Sequence, residues 1–583
     1  LIQYQYPAHL WISQVLALFS NLVACKIVPL IINYQNIMNL KHLLVFLLPI
    51  LIGLSPVFSC TIIVAGKKAT TDGSVIVSHS DGGPDCRFRV IPRMKFPKGA
   101  MTPVYWGIQN PQQPLDQSGD TLGFVPQVEE TYRYIRSAYS HINEFQLAIG
   151  ESTMSQKEEL GVERKTGEQI MTVEQAMIFA LQRCKTARAA LTLITELMDT
   201  YGFLPSCGPE SECLAIGDKN EVWILELFSV GPGWEPGSGK PGALWAAQRL
   251  PDDHVTMIPN WSIIKEIDLA DTNNFRASSN YQQVAIDHGW WDPESGEDFI
   301  WQDIYAPVPR EWATSRFWLF HALYAPDLPG LPNRWTTDPF KGDDQYTQFV
   351  EPLSLYPFSI KPNRLLSVKD VMEFQRSTFT GTIYDKEMAP DWYIPSDSGT
   401  LVRSVLTTPF PTIEMRKLLN INRRRNVARA RGEYGMIAQL RSWLPDEVGG
   451  IYYVYVDNVY TCAYVPIYAG VTDVAECYKI WDKEKFDDNS IRWCVDFVDN
   501  LLYLRWQDAV KDLHAIRDPF EKRLFDEQAE VDKKAEDLLK ENPQTGKEYL
   551  TELTIDRMNE VHKMFQDLRI TLIEKYTNNK QGI

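Results

Sequence analysis

The pattern of hydrophobic and polar positions changes several times along the chain, and each change predicts a different element. From Thr61 to Gly66 the residues are β-branched and apolar, Thr71-Asp72-Gly73 is a turn signal, and Ser74 to Ser78 resumes the first pattern. Two such runs around a turn predict a hairpin. It puts Cys60 at a strand end, with His79, Ser80 and Asp81 leaving the partner strand nearby. Thr172-Val-Glu-Gln175 has the form of a capping box, and Met177, Ala180, Leu181 and Cys184 then recur at helical spacing, so a helix is expected to run to about Met198. Residues 304–412 are rich in Pro and aromatics and predict irregular connections between short elements, in the manner of a lid. From about Trp506 charged helical segments dominate, including Phe520 to Lys540 and Gly546 to Tyr576. They read as a packed helical hairpin, or as a dimerisation element.

Ahead of Cys60 the pattern is that of a leader. Met38-Asn-Leu-Lys41 supplies a positive start, an apolar run from Leu43 to Leu54 is too short to span a bilayer comfortably, and Val57 and Ser59 are small residues before a scissile bond. The expectation is a signal peptide over 38–59, export to a periplasmic or secreted location, and a mature chain that starts at Cys60. Lipid attachment at Cys60 is the other reading, although bulky Phe58 makes a poor lipidation signal. Residues 1–37 begin with Leu, and their apolar stretch is interrupted by Asn21, Lys26 and Pro29; they read as an overextended frame, with translation starting at Met38. The domain plan is then 60–505 as one domain, with 304–412 as an insertion, and 506–583 as a helical extension.

Composition narrows the chemistry. An apolar content of 44% in 583 residues is ordinary for a globular protein, and a formal charge of -17 without a dense cationic stripe argues against phosphate-backbone binding. The short basic cluster from Asn422 to Arg431 reads as a solvated turn or helix face. None of the nine cysteines forms a CxxC and no HExxH occurs, so no metal or other cofactor is expected. Cys207 and Cys213 are candidates for a disulfide or for two buried free thiols. Gly231 to Gly242 resembles a phosphate loop only superficially, because Pro241 stands where Ser or Thr is required.

An N-terminal cysteine has its own base. Its α-amine has a pKa of about 7.7–8.0 against about 8.5 for the thiol, so near neutral pH the amine can take the thiol proton. Four blocks make this more than a local possibility. Cys60 to Ser74 with His79-Ser-Asp81, Asn143-Glu144 with Ala148 to Thr153, Asp218 to Glu226, and Trp245 to His254 running on to Asn260 resemble, in order, the cysteine dipeptidase family, peptidase family C69, related to the secernins. The resemblance returns at Gln439 to Pro445 and Tyr464 to Tyr468.

That resemblance implies an α+β fold, the N-terminal-nucleophile hydrolase fold of two antiparallel sheets between helical layers (αββα), and hydrolysis of small peptides through a thioester. Carried over by motif, it makes Cys60 nucleophile and base, Asp81 the acid that orients the amine, Asn143 an oxyanion donor and Asn260 a second polar contact. The wider group, which includes penicillin V acylase and bile salt hydrolase, usually has Arg three positions before the matching Asp; Ser78 stands there instead. Arg87, Arg89 and Arg431 are the candidates for the missing cation, with Arg431 preferred because it lies in a family-like block. The expected function is that of a secreted cysteine dipeptidase. An acylase of another small amide, or a non-catalytic lipoprotein lipidated at Cys60, are the alternatives. The expected partner is a small peptide substrate, with no nucleic acid and no stable membrane insertion of the mature chain; the sequence leaves the oligomeric state open.

Overall fold

Two antiparallel sheets dominate the computed structural model, which describes residues 60–80, 83–109, 120–306, 310–341, 352–430 and 432–577. In the first, β1 (Ile62–Ala65) lies between β2 (Val75–Ser80) and β12 (Val255–Ile258), and the sheet continues from β2 through β16 (Tyr434–Leu440) and β17 (Gly450–Val456) to β18 (Val465–Tyr468). The predicted hairpin is present, with Val64 opposite Val77 and Ala65 opposite Ile76. The second sheet runs in the order β13 (Phe275–Ala277), β11 (Leu244–Arg249), β10 (Val222–Phe228), β9 (Ser211–Gly217), β8 (Ala148–Met154), β7 (Ile142–Asn143), β6 (Tyr134–Arg136) and β3 (Arg89–Ile91). Two separate hairpins, β4 (Met101–Trp106) with β5 (Asp120–Pro126) and β14 (Tyr393–Pro395) with β15 (Leu401–Arg403), complete the strands.

Every residue of β1, β2, β8, β9, β10, β16 and β17 is buried, because both faces of each sheet are covered; this is why these strands read as continuous apolar runs. The sheets meet closely around β2. A Cβ on Gly150 would lie 2.6 Å from the Ser78 carbonyl, and one on Gly217 would lie 2.5 Å from Val77 Cγ2. On its other face the larger sheet packs Ile149, Leu214 and Trp223 against Met177, Leu181, Leu191 and Ile194 of two helices.

Those two helices correct the expectation of one. Val173–Arg183 is capped by Thr172, whose side chain accepts from Gln175 N, and ends at Cys184; Ala187–Tyr201 starts anew with Thr186 as its cap. The break is fixed by Asp218, which accepts the Ala187 N–H at 2.8 Å. Gln175 turns its side-chain oxygen to the Tyr105 N–H at 3.2 Å.

Residues 304–412 are also more regular than expected. They contain the helices Glu311–Tyr324 and Val368–Gln375. The first is buried from Ala313 to His321 without a break, so it has no polar face for a periodic pattern to betray. The C-terminal segment is a packed hairpin of two long helices, Trp506–Glu541 and Pro543–Tyr576, turned at Asn542. Leu550, Met558, Val561, Phe565 and Leu572 bury their side chains in the main core, and Arg441 and Arg376 bind Asp532 and Glu521 of the first long helix. Cys207 and Cys213 are free thiols. Among the described residues no helix is long and apolar enough to cross a membrane. The expectations for 1–59, Asp81 and Arg431 lie outside the described residues.

Candidate active site

Cys60 immediately precedes β1, and the start of that strand is tied to the end of β2. Thr61 N donates to Ser80 Oγ at 3.1 Å, Ser80 N donates back to Thr61 O at 3.1 Å, and Ile63 N donates to Ser78 Oγ at 2.9 Å. Ser78 therefore knits the hairpin where a cation was expected.

A cation does lie close by, on the carbonyl side of Cys60. Arg316, fully buried on Glu311–Tyr324, spreads its guanidinium over the start of β1 and the end of β12. Nη1 donates to Cys60 O at 2.8 Å and to Thr61 Oγ1 at 2.7 Å, while Nη2 donates to Pro259 O at 2.6 Å and to Asn260 Oδ1 at 3.2 Å. Nε is anchored on Trp312 O at 2.8 Å. A planar guanidinium serves such a forked set of acceptors in a way an ammonium does not. Asn260 sits just past β12 at φ 61°, a left-handed conformation that Asn tolerates better than most residues, and its Nδ2 donates to Thr153 O at 2.8 Å. Arg425 adds a 3.3 Å contact to Asn260 Oδ1. The basic cluster around Arg424 is thus not a solvated face: Arg424 also turns inward, 3.6 Å from Glu311 on the helix that carries Arg316.

The sulfur side of Cys60 meets acid. Cys60 Sγ lies 3.7 Å from Glu151 Oε2 on β8, and Thr153 Oγ1 donates to Glu151 Oε1 at 3.3 Å. His79 at the end of β2 lies 2.6 Å from the Glu151 carbonyl through Nδ1, a contact that requires the ring proton on that nitrogen. Glu212 on β9 faces Glu151, and Glu174 opens the helix Val173–Arg183 beside them. All three carboxyls are buried. Burial pushes the Glu151 carboxyl up to about 7, and burial together with the facing Glu151 holds Glu212 well above the ordinary carboxylate range. Two buried carboxyls in contact disfavour double ionisation, so the pair keeps a proton between them. Donor atoms of Cys60, His79 and Glu151 lie within 4.8 Å of one another, a set of ligand types that suits a zinc-like ion and that motif spacing did not reveal.

Of the residues predicted from sequence, the structure brings Cys60 and Asn260 together, through Arg316. Asn143 is placed differently. Its Nδ2 donates to Leu181 O at 2.8 Å and Cys184 O at 2.9 Å, and its Oδ1 accepts from Phe145 N and Leu147 N. Both amide hydrogens are used, so Asn143 holds a turn against the end of a helix and offers no donor to an oxyanion. Arg87 forks onto Asp85, at 2.8 and 2.7 Å, and Arg89 lies on β3 opposite Arg136. A polar cleft lined by Ser155, Lys157, Glu210 and Arg310 opens just beyond Met154, and Cys60 does not line it.

Arg316 and Glu151 were the residues that sequence reasoning missed. Arg316 left one signal: a lone cation at the head of the apolar run Phe317-Trp318-Leu319-Phe320 must find buried acceptors.

Known dipeptidases resemble this chain over most of its length. It is 26% identical over 446 residues to the probable dipeptidase B of Lactococcus lactis subsp. lactis, covering 75% of this chain and 79% of that protein. It is 24% identical over 445 residues to dipeptidase A of Lactobacillus helveticus, covering 74% and 80%. With the probable dipeptidase B of Streptococcus pyogenes serotype M1 it shares 21% identity over 537 residues, 90% of this chain and 95% of that protein. The model of peptidase family C69 matches residues 59–518, which take in Cys60, Glu151, Asn260 and Arg316. The chain belongs to peptidase family C69.

Proposed function

We propose that this chain is a cysteine dipeptidase that is exported, loses the residues before Cys60, and uses Cys60 as an N-terminal nucleophile. The observation that carries the proposal is the two-sided hold on Cys60: its carbonyl oxygen in the grip of Arg316 and its sulfur 3.7 Å from Glu151. The printed names of the relatives, dipeptidases A and B, support the substrate class. Helices on the outer faces of two packed antiparallel sheets support the N-terminal-nucleophile hydrolase fold, with Cys60 at the strand end where that chemistry needs it.

In the proposed reaction the free α-amine takes the thiol proton, the thiolate attacks the peptide carbonyl, and the amine returns the proton to the leaving nitrogen. The product is a thioester on Cys60, which water hydrolyses. Asn260 has a second amide hydrogen beyond its bond to Thr153 and is assigned to the oxyanion. Asp81 directly follows Ser80, which is bonded to Thr61, so it is assigned to the amine. Arg316 is the positioning residue that fixes the carbonyl end of the nucleophile.

The test is purification of the exported chain, intact mass of its N-terminus, and turnover of dipeptides and N-acyl amides by it and by Cys60→Ala. The proposal expects Cys60 to be free and first, and dipeptide turnover to fall at least about a thousandfold in the variant. Equal turnover by Cys60→Ala removes Cys60 from the mechanism. Hydrolysis confined to N-acyl amides gives the acylase reading, and a lipid thioether on Cys60 gives the lipoprotein reading.

A further inference from the structure

Glu151 and Glu212 pose a problem that the chemistry of Cys60 does not solve. Both side chains are fully buried, and apart from the proton that the pair shares, neither oxygen of Glu212 meets a hydrogen-bond donor among the described residues. Glu174 beside them has one oxygen on Ser206 Oγ, at 2.9 Å, and the other without a donor. Among the described residues no lysine or arginine pairs with any of the three; the nearest potential cation is His79, 3.9 Å from Glu151 Oε2. Buried acids without a cation are costly, and a bound ligand is one way in which a native protein completes such a cluster.

Position says which ligand. A sulfur poised for attack lies about 3–3.5 Å from the scissile carbonyl carbon. In a peptide with a free N-terminus cleaved after its first residue, the α-nitrogen is two bonds from that carbon, roughly 2.5 Å away. The ammonium therefore falls within about 6 Å of the attacking sulfur, and Glu151 Oε2 stands 3.7 Å from Cys60 Sγ. We infer that Glu151 and Glu212 form the subsite that receives the free α-ammonium of the substrate's first residue, so that Cys60 releases single N-terminal residues. Ammonium N–H donors satisfy the Glu212 oxygens and neutralise the pair. An amide substrate without that ammonium leaves the pair's remaining negative charge buried and unmatched, so N-acyl substrates are rejected at the same site.

This inference rests on the dipeptidase reading, and the test separates the two. The processed enzyme is given Ala-Ala and its des-amino analogue propionyl-Ala, and kcat and KM are measured for wild type, Glu212→Gln and Glu151→Gln, with unfolding midpoints as a folding check. Wild type should prefer Ala-Ala by about a hundredfold or more in kcat/KM, because a site built around a donor rejects the analogue that lacks it. In Glu212→Gln that preference should shrink at least about tenfold, chiefly through a higher KM for Ala-Ala. Should Glu151→Gln not fold, Glu212→Gln alone decides. An unchanged preference in a folded Glu212→Gln variant overturns the inference, even while Cys60-dependent dipeptide cleavage stands. An equal fall in kcat for both substrates also overturns it, and gives the carboxyls to the α-amine of Cys60 itself. If Ala-Ala is not cleaved at all, or is cleaved without Cys60, it is the underlying dipeptidase reading that falls.

Discussion

Arg316 shows how much one buried side chain can organise. Five of its bonds join Cys60, Thr61, Trp312, Pro259 and Asn260, so its loss leaves buried carbonyls without this donor. Arg316→Met is expected to cost about 2–4 kcal/mol in urea unfolding and to lower kcat by more than about tenfold. Arg316→Lys should recover part of the stability and little of the kcat, because an ammonium cannot reproduce the fork. At the contact between the sheets, Gly150→Ala would put a methyl 2.6 Å from Ser78 O and should lower stability by about 1–3 kcal/mol, read from the same unfolding curves. At this scale the sequence was legible where chemistry is local. Cys60 stands out by the apolar run before it and the hairpin after it. Asn260 could be placed near it only by resemblance, and Asn143 was misjudged because a motif does not say which carbonyls an amide will meet. Glu151 was hidden inside the block Ala148 to Thr153, since a glutamate on a strand looks like solvent-facing polarity until both faces of the sheet are known to be covered.

Elements were read well where their period was clean. The β1–β2 hairpin and the long C-terminal helices follow from β-branched apolar runs around a turn and from charge pattern. The helix Glu311–Tyr324 did not, because an element buried on all sides shows no polar stripe, and Pro-rich neighbours made it look irregular. The break between Val173–Arg183 and Ala187–Tyr201 escaped for another reason: it is dictated by Asp218, distant in sequence. The C-terminal hairpin carries its own prediction. Its second helix, Pro543–Tyr576, packs Gly546 on Leu539 and Leu550 against Gly470 next to β18, and buries Met558, Val561 and Phe565 completely. A chain ending at Asn542 should expose that apolar surface, bind a hydrophobic dye and lose its cooperative unfolding transition. A truncated chain that unfolds as cooperatively as the full one would show the hairpin to be an appendage.

For the molecule as a whole, the buried acids tie stability to pH. An unfolded glutamate titrates near 4.5, whereas Glu151 does so at about 7 and Glu212 is raised well beyond the ordinary range. Between pH 4.5 and about 7 the folded chain therefore holds more protons than the unfolded one, and this contribution to stability falls as pH rises. Urea midpoints measured from pH 4.5 to 8 should show that fall, and Glu212→Gln should make it shallower. A different whole-chain consequence follows from the place where Arg316 takes hold. It clamps Cys60 by the carbonyl oxygen, and Glu151 meets the sulfur, so every atom they hold lies downstream of the bond that precedes Cys60. Severing that bond converts one nitrogen from a non-basic amide into a basic amine and asks nothing else of the scaffold. On the proposed maturation, activation is a change of basicity at a single atom, with the holds on the Cys60 carbonyl and sulfur left as they are.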